Sequence, residues 1–447
     1  MNPVPSDPSS NNAFHRFSQW LRESLLVKLL SIGFIVLILL IPNALIDSMI
    51  YERQSRQHEV FSEVSRSWGG AQTVTGPLLS IPHLLRQQDG DGNMKTIRST
   101  AYFLPQKLDV QGELVHQIRK RSIFDVVLYQ ADIQLTGTFE RPDFQALNID
   151  AANVLWDEAK ISLGIQGMTG IKEIISVKWA GTDIRLEPGT AAQSLLPTGV
   201  SAAVPLAPAA EGYDFSIPVK LNGSEYLKFE PVGKSTQVGL RSDWHSPSFE
   251  GTFLPDKREI TPTGFEANWQ VLDLNRSYPQ QWKAGEAQFG NAAFGVRLVK
   301  PVDEYLKNTR SAKYAILVIG LTFLLYFFFE VLKKLLIHPF QYLLVGLALT
   351  VFYLLLLSLS EHIGFNLAYL VSSTATILLI TGYSFSILGI KRLALQLCLM
   401  LVAIYGFIYI LLQLEDYALL AGSAGVFITL AAAMYASRKV DWYNLKK

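Results

Sequence analysis

Two hydrophobic patterns divide the chain. Apolar positions run almost unbroken from about Leu25 to Ile46, and again through five stretches at about 314–332, 340–360, 364–388, 393–413 and 416–436. Each is close to the roughly 20 residues needed to cross about 30 Å of hydrocarbon. Six transmembrane helices follow, one N-terminal and five C-terminal. Between the first and second the period changes to two: Val126–Glu140, Ser176–Gly189, Phe215–Gly233 and Gly264–Val271 alternate apolar and polar positions between Gly, Pro and Asn breaks. These read as strands of antiparallel sheets, so the fold class expected is an α + β membrane protein with a large β-rich extracytoplasmic region.

The boundaries follow from the same pattern. Residues 1–24 form a polar segment, 25–46 a transmembrane signal anchor, 47–311 the β-rich region, 312–437 a five-helix membrane domain and 438–447 a tail. The first span is read as uncleaved, because it is longer than a signal-peptide core and IDSMIYERQ carries no small-x-small cleavage site. Lys28 lies near enough to its start to snorkel outward. Beyond it, Val60, Phe61, Val64 and Trp68 keep helical spacing up to Gly69 and Gly70, as a helix continuing past the span would. The Pro-, Ala- and Gly-rich tract Leu186–Gly212 is expected to be a long loop, with a division into two β halves near 188–211 or a single sandwich carrying an insertion.

Composition adds little to this picture and charge adds more. The mean hydropathy is +0.23, with 49% hydrophobic and 17% charged residues, and the formal net charge of +1 excludes the strongly basic surface of a nucleic-acid binder. The single cysteine, Cys398, leaves no disulfide within the chain and no paired-cysteine metal or redox site. Basic residues mark the cytoplasmic side of membrane proteins. Arg16, Arg22 and Lys28 precede span one, Lys333 and Lys334 join spans two and three, Lys391 and Arg392 join four and five, and Arg438, Lys439, Lys446 and Lys447 follow six. Glu361, Glu415 and Asp416 occupy the alternate connections. All six crossings agree on cytoplasmic N- and C-termini and an outside β region.

Candidate chemistry is sparse. DGDGN at Asp89–Asn93 starts like a calcium loop, but Met94 replaces the required Gly and Thr100 the required Glu, so a hairpin turn is expected. GKST at Gly233–Thr236 has Lys228 at the first glycine position of a phosphate loop and is rejected as one. The histidines form no HExxH-like pair, so no metal and no cofactor is implied. NGS at Asn222 and NRS at Asn275 match glycosylation acceptors, which matter only in a eukaryotic secretory pathway. Glu330, Glu361, His362, Glu415 and Asp416 all sit at span ends, and apart from Lys28 no ionisable residue occupies a span centre, which disfavours ion and proton pathways. Ser358, Glu361 and His362, spaced three and four apart, share one helix face at a membrane interface and are the candidates for a membrane enzyme. Neither an oxyanion hole nor an oriented base accompanies them, and no catalytic residue is assigned. The segment containing Trp244, Phe249, Lys257 and Arg258 is the candidate binding surface, its alternative being a packed turn between strands.

HPFQYLLVGLALTVFYLLLLSLSEHIGF (His338–Phe365), with KYAIL at Lys313–Leu317 and WHSPSFEGTFLPDKREITPTGFEANWQ at Trp244–Gln270, resembles the CreD family of bacterial cell envelope integrity proteins. GPLLSIP at Gly76–Pro82, EPG at Glu187–Gly189 and DWY at Asp441–Tyr443 extend the likeness from about Leu25 to Tyr443. The resemblance implies a multi-pass inner-membrane protein of a Gram-negative bacterium, linked to envelope integrity and stress response, and carries over no catalytic residue. The expected function is non-enzymatic binding of an unknown envelope protein or component through the β region. The alternatives are a membrane hydrolase or a lipid transporter using the spans. Expected partners are the lipid bilayer, that envelope component and a second copy of the chain in a homo-oligomer; Ala418, Gly422 and Gly425 favour close helix packing, a structural role.

Overall fold

Long apolar runs that satisfy their own backbone hydrogen bonds form helices, and the six expected ones are present. The structure, a computed structural model, describes residues 25–88, 94–207, 210–299, 304–333, 335–414 and 417–438. Asp89–Asn93, Lys334, Glu415, Asp416, DWY, the first 24 residues and the basic residues after Arg438 lie outside them. Helix α1 spans Leu25–Trp68, α2 Glu304–Lys313, α3 Ala315–Lys333, α4 Pro339–Ile363, α5 Phe365–Leu388, α6 Lys391–Gln413 and α7 Ala418–Ser437. Six stretches are long and apolar enough to cross a membrane, with α2 and α3 together forming one.

The chain divides into two compact units, 1–56 with 302–447 and 57–301, and the division falls inside α1. In the first, local chemistry sets the helix ends. HPFQ is a capping box: His338 accepts from the Phe340 backbone N–H, Gln341 accepts from the His338 N–H at 3.0 Å, and Pro339 occupies the first helical position. α4 ends at Gly364, whose N–H donates to the Ser360 carbonyl.

The second unit begins with the last turns of α1 and is otherwise built of a nine-stranded and an eight-stranded sheet among the described residues. The helix stops where expected. Gly69 has φ +133°, and a Cβ there would lie 2.4 Å from the Asn222 carbonyl oxygen, so only glycine turns the chain. Gln72, fully buried, then ties the turn to the sheets. Its Nε2 lies 2.9–3.0 Å from the carbonyls of Gly69, Gly167 and Asn222, and its Oε1 accepts from Gly167 N–H at 3.1 Å.

Pairing is antiparallel with two parallel exceptions: Gln72–Val74 beside Leu227–Phe229, and Ser235–Ser242 beside Lys107–Leu114. Strand Gly212–Ser224 belongs to the eight-stranded sheet and Tyr226–Phe229 to the nine-stranded one, so the chain changes sheets at Glu225, whose φ is +60°. Both sheets draw strands from either side of residues 188–211. The tract Leu186–Gly212, expected as loop, contributes strands Glu187–Pro188 and Gly199–Ala203. Val200, Ala202, Val204 and Leu206 are buried at alternate positions, and that period outweighs the Pro- and Ala-rich composition. GKST likewise leads into strand Ser235–Ser242, with Thr236 buried and its hydroxyl accepting from Gly233 N–H. Asn222 of the NGS tripeptide is buried as well.

Candidate functional site

In the membrane-helix unit two basic side chains of α1 meet carboxylates of other helices. Lys28, expected to snorkel, places its ammonium 2.6 Å from Glu330 on α3, a residue only 4% exposed. Tyr342 of α4 donates its hydroxyl to the other carboxylate oxygen at 3.0 Å, and the Ile337 N–H completes the set at 3.3 Å. Pairing prevails over snorkelling because an unpaired buried carboxylate is far costlier than a paired one. Farther along α1, Arg53 lies 3.8 Å from Glu361, which also accepts from the Tyr305 hydroxyl at 2.9 Å. The two clasps are about 38 Å apart along an ideal helix, enough to bracket the hydrocarbon layer.

This arrangement separates the three residues expected on one helix face. Glu361 is held by Arg53 and Tyr305, His362 is exposed, and its Nδ1 lies 3.1 Å from the Ser358 backbone carbonyl. Ser358 is exposed too. What the geometry supports at this position is a helix end, with its neighbour Ser360 buried and accepting from Asn308 at 2.8 Å.

The β unit contains a concave site. Its position follows from the register across one end of the nine-stranded sheet. Gly251, Phe294, Phe229, Val74 and Ile165 are aligned on five adjacent strands. Phe294, Phe229, Val74 and Ile165 are buried in the core. Lys228 and Thr73 pair directly one position away, and in a pleated sheet that step reverses the face. There a cleft of about 530 Å³ opens, lined by Thr73, Gln166, Lys228, Glu230, Gly251, Thr252 and Asn291, with Gly290 and Ala293. The strand Pro247–Gly251 of the SPSFEG segment forms one wall. Gly251 has φ +110°, and a Cβ there would lie 2.2 Å from the Ala293 carbonyl oxygen, so the wall closes only with glycine. Thr252 donates to the Asn291 carbonyl at 2.7 Å.

Charges are arranged around the cleft rather than scattered. Glu250 receives Arg297 Nε at 2.6 Å and Lys228 Nζ at 3.4 Å. Both cations also lie over the Tyr226 ring, at 5.4 and 4.5 Å from its centroid. Glu250 titrates below the usual carboxylate range: burial pulls it upward, and the bonds from Arg297 and Lys228 outweigh that. Glu230 differs. It is 5% exposed, accepts from the Tyr278 hydroxyl at 3.1 Å, and is pushed up to about 7 by burial, against smaller lowering from Tyr278, the Ala292 N–H and the Arg276 charge. A carboxyl in that range is neutral or charged according to small changes in its surroundings.

Of the candidate surface residues, Trp244 is only 3% exposed: its indole donates to the carbonyls of Ser246 and Val299, and its ring meets His116 edge-on. Phe249 packs against Phe265 and Trp269. Lys257 and Arg258 are exposed on Lys257–Thr261, the edge strand of the eight-stranded sheet. Trp244 is buried and Phe249 half-buried because the strand that follows the SPSF turn packs its aromatic against Phe265 and Trp269 of the other sheet. Sequence reasoning missed Lys228, Glu230 and Asn291. A signal existed for the first two, since Lys and Glu two apart in the alternating LKFEP share a face; nothing local pointed to Asn291. Among the described residues no group of three or more His, Cys, Asp or Glu is placed to hold a metal ion.

A family model described as inner membrane protein CreD matches residues 24–443. Inner membrane protein CreD of Escherichia coli strain K12 is 34% identical over 431 residues, covering 95% of each chain. Two crystal structures of an M1 zinc metallopeptidase from Deinococcus radiodurans are 11% and 10% identical over 38% of either chain, with TM-scores of 0.20 and 0.17, and at those values they carry no argument about fold or chemistry.

Proposed function

The chain belongs to the CreD family of inner membrane proteins, and from that premise we propose that it serves envelope integrity and the response to envelope stress by binding an envelope component, without catalysis. The observation that carries this reading is the cleft at the end of the nine-stranded sheet, walled by the family-like segment SPSFEGT and furnished with Lys228, Glu230 and Asn291. Convergent polar groups in a preformed concavity are the usual form of a binding site. Exposed Lys257 and Arg258, on an edge strand of the eight-stranded sheet, offer a second polar contact surface, with buried Trp244 and half-buried Phe249 holding the SPSF segment in place. The alternation of basic and acidic connections supports cytoplasmic N- and C-termini, a periplasmic β region and spans covered by lipid. The hydrolase reading loses support from Ser358 and His362, because the imidazole bonds a main-chain carbonyl rather than the serine hydroxyl.

The test is crosslinking in living cells from a photoreactive residue placed at Asn291 or Thr252, with the captured species identified by mass. A defined envelope component, captured from these positions and not from exposed Asp183 on the opposite sheet, is the expected result. Capture of nothing from either position, while the protein complements an envelope-stress phenotype, overturns the proposal.

A further inference from the structure

Every charge at the cleft is already answered by a neighbour. Lys228 and Arg297 both meet Glu250, Arg297 also meets Glu225, and Arg276 stands beside Asp273 and Glu230. Among these groups three cations face four carboxyl groups, so no positive excess arises to draw an anion. What stays uncommitted is neutral. The hydroxyl of Thr73 and the side-chain amides of Gln166 and Asn291 line the cleft with no hydrogen-bond partner among the described residues. Each of these groups can both donate and accept. Lys228, fixed against Glu250 at 3.4 Å, adds a donor whose direction is set.

Two other ligand classes fit poorly. Ala293 is the one lining residue with an apolar side chain, so a lipid chain finds nothing to pack against. Thr73 and Lys228 lie on inner strands of the nine-stranded sheet, paired on both sides, so a peptide finds no free strand edge to extend. A sugar suits what remains. Its hydroxyl groups carry no charge, each donates and accepts, and several are presented on one compact ring. We infer that the cleft takes an uncharged sugar, held through its hydroxyl groups by Thr73, Gln166 and Asn291, with Lys228 as the fixed donor. The inference rests on the reading of the cleft as the binding site and names the ligand class. The volume of about 530 Å³ lies within the size range of small-molecule sites.

The experiment is calorimetric titration of the full-length protein, in a detergent without a sugar headgroup, at pH 6, below the value near 7 to which burial pushes Glu230. The probes are N,N′-diacetylchitobiose, which is uncharged, glucosamine as a cation, glucuronate as an anion and acetyl-trialanine amide as an uncharged peptide. The disaccharide is expected to bind, and each of the other three about tenfold more weakly or not at all, because a charge brought to a balanced site loses its hydration without gaining a partner. Thr73→Val should weaken disaccharide binding severalfold, as loss of one hydrogen bond does. Gln166→Leu combined with Asn291→Leu should weaken it tenfold or more. Both side chains are exposed, so the calorimetric transition of this double variant should stay in place and show that it folds. Disaccharide binding that is absent, that the double variant leaves undiminished, or that glucosamine, glucuronate or the peptide equals overturns the inference. Crosslinked capture of a component other than a sugar from Asn291, without disaccharide binding, removes this inference and leaves the binding role standing.

Discussion

The two units of the molecule bury carboxyl groups by different means. In the membrane-helix unit, Glu330 and Glu361 each meet a cation from α1, Lys28 at 2.6 Å and Arg53 at 3.8 Å, with a tyrosine hydroxyl completing each set. In the β unit, Glu230 has a tyrosine hydroxyl but its burial is relieved by a proton, which raises it to about 7. The difference follows from the surroundings. Inside a helical bundle in lipid, a charge has only protein to meet it, so pairing also fixes how α1 sits against α3 and α4. At the edge of an open cleft a carboxyl can exchange its proton with solvent.

Four measurements sharpen or break that contrast. The largest effect belongs to neither carboxyl and sets the scale: Trp244→Ala removes a buried indole with two hydrogen bonds and should cost about 4 kcal/mol, read as a lowered calorimetric transition of the β unit. A transition that does not move would mean the SPSF turn is not part of the core. Next, Lys28→Met leaves Glu330 buried and uncompensated and should cost about 3 kcal/mol, whereas Lys28→Met combined with Glu330→Gln should cost clearly less than the two single changes added together. Additive costs would show that the pair does not act as a unit.

Glu230 should give a pH-dependent effect of comparable or smaller size. Its folded value lies above its unfolded one, so its contribution to stability is complete below about 4.5 and is lost as pH rises through about 7. The loss amounts to about 3 kcal/mol at most for a shift of this size. The transition temperature should therefore fall between pH 5 and pH 8, and the Glu230→Gln protein should show a visibly flatter profile; parallel profiles would sink the assignment. Smallest of all, Ser358→Ala, Lys257→Ala and Arg258→Ala should each change stability by about 0.5 kcal/mol or less, since all three side chains are exposed. A large loss at Ser358 would reopen its partnership with His362.

Much of the architecture was legible along the chain because its signals are local. The spans follow from uninterrupted apolar runs and the end of α1 from Gly69 and Gly70, whereas the HPFQ capping box that starts α4 is a local signal that sequence reasoning missed. Strand Gly264–Leu272 follows from alternation, and it is buried at every second position as that alternation requires. The candidate site was less legible. Trp244 and Phe249 stand in a segment rich in turn residues, and their burial depends on His116, Phe265 and Trp269, contributed by other strands. Lys28 could be placed near a helix start, but its partner Glu330 lies 302 residues away.

Hydrophobic period by itself therefore determined that this protein has six membrane-length helices and a β-rich unit, since each helix or strand needs only its own stretch of chain to declare which faces are apolar. The tertiary structure alone decided which polar residues meet. Register across adjacent strands brings Thr73, Lys228 and Gly251 to one cleft, Asn291 joins them from the segment before strand Phe294–Leu298, and burial by distant residues changes Glu230 from an ordinary surface acid into a group that titrates near neutrality. A pKa and a concavity are properties of surroundings, and those surroundings are supplied by segments with no fixed spacing in the chain.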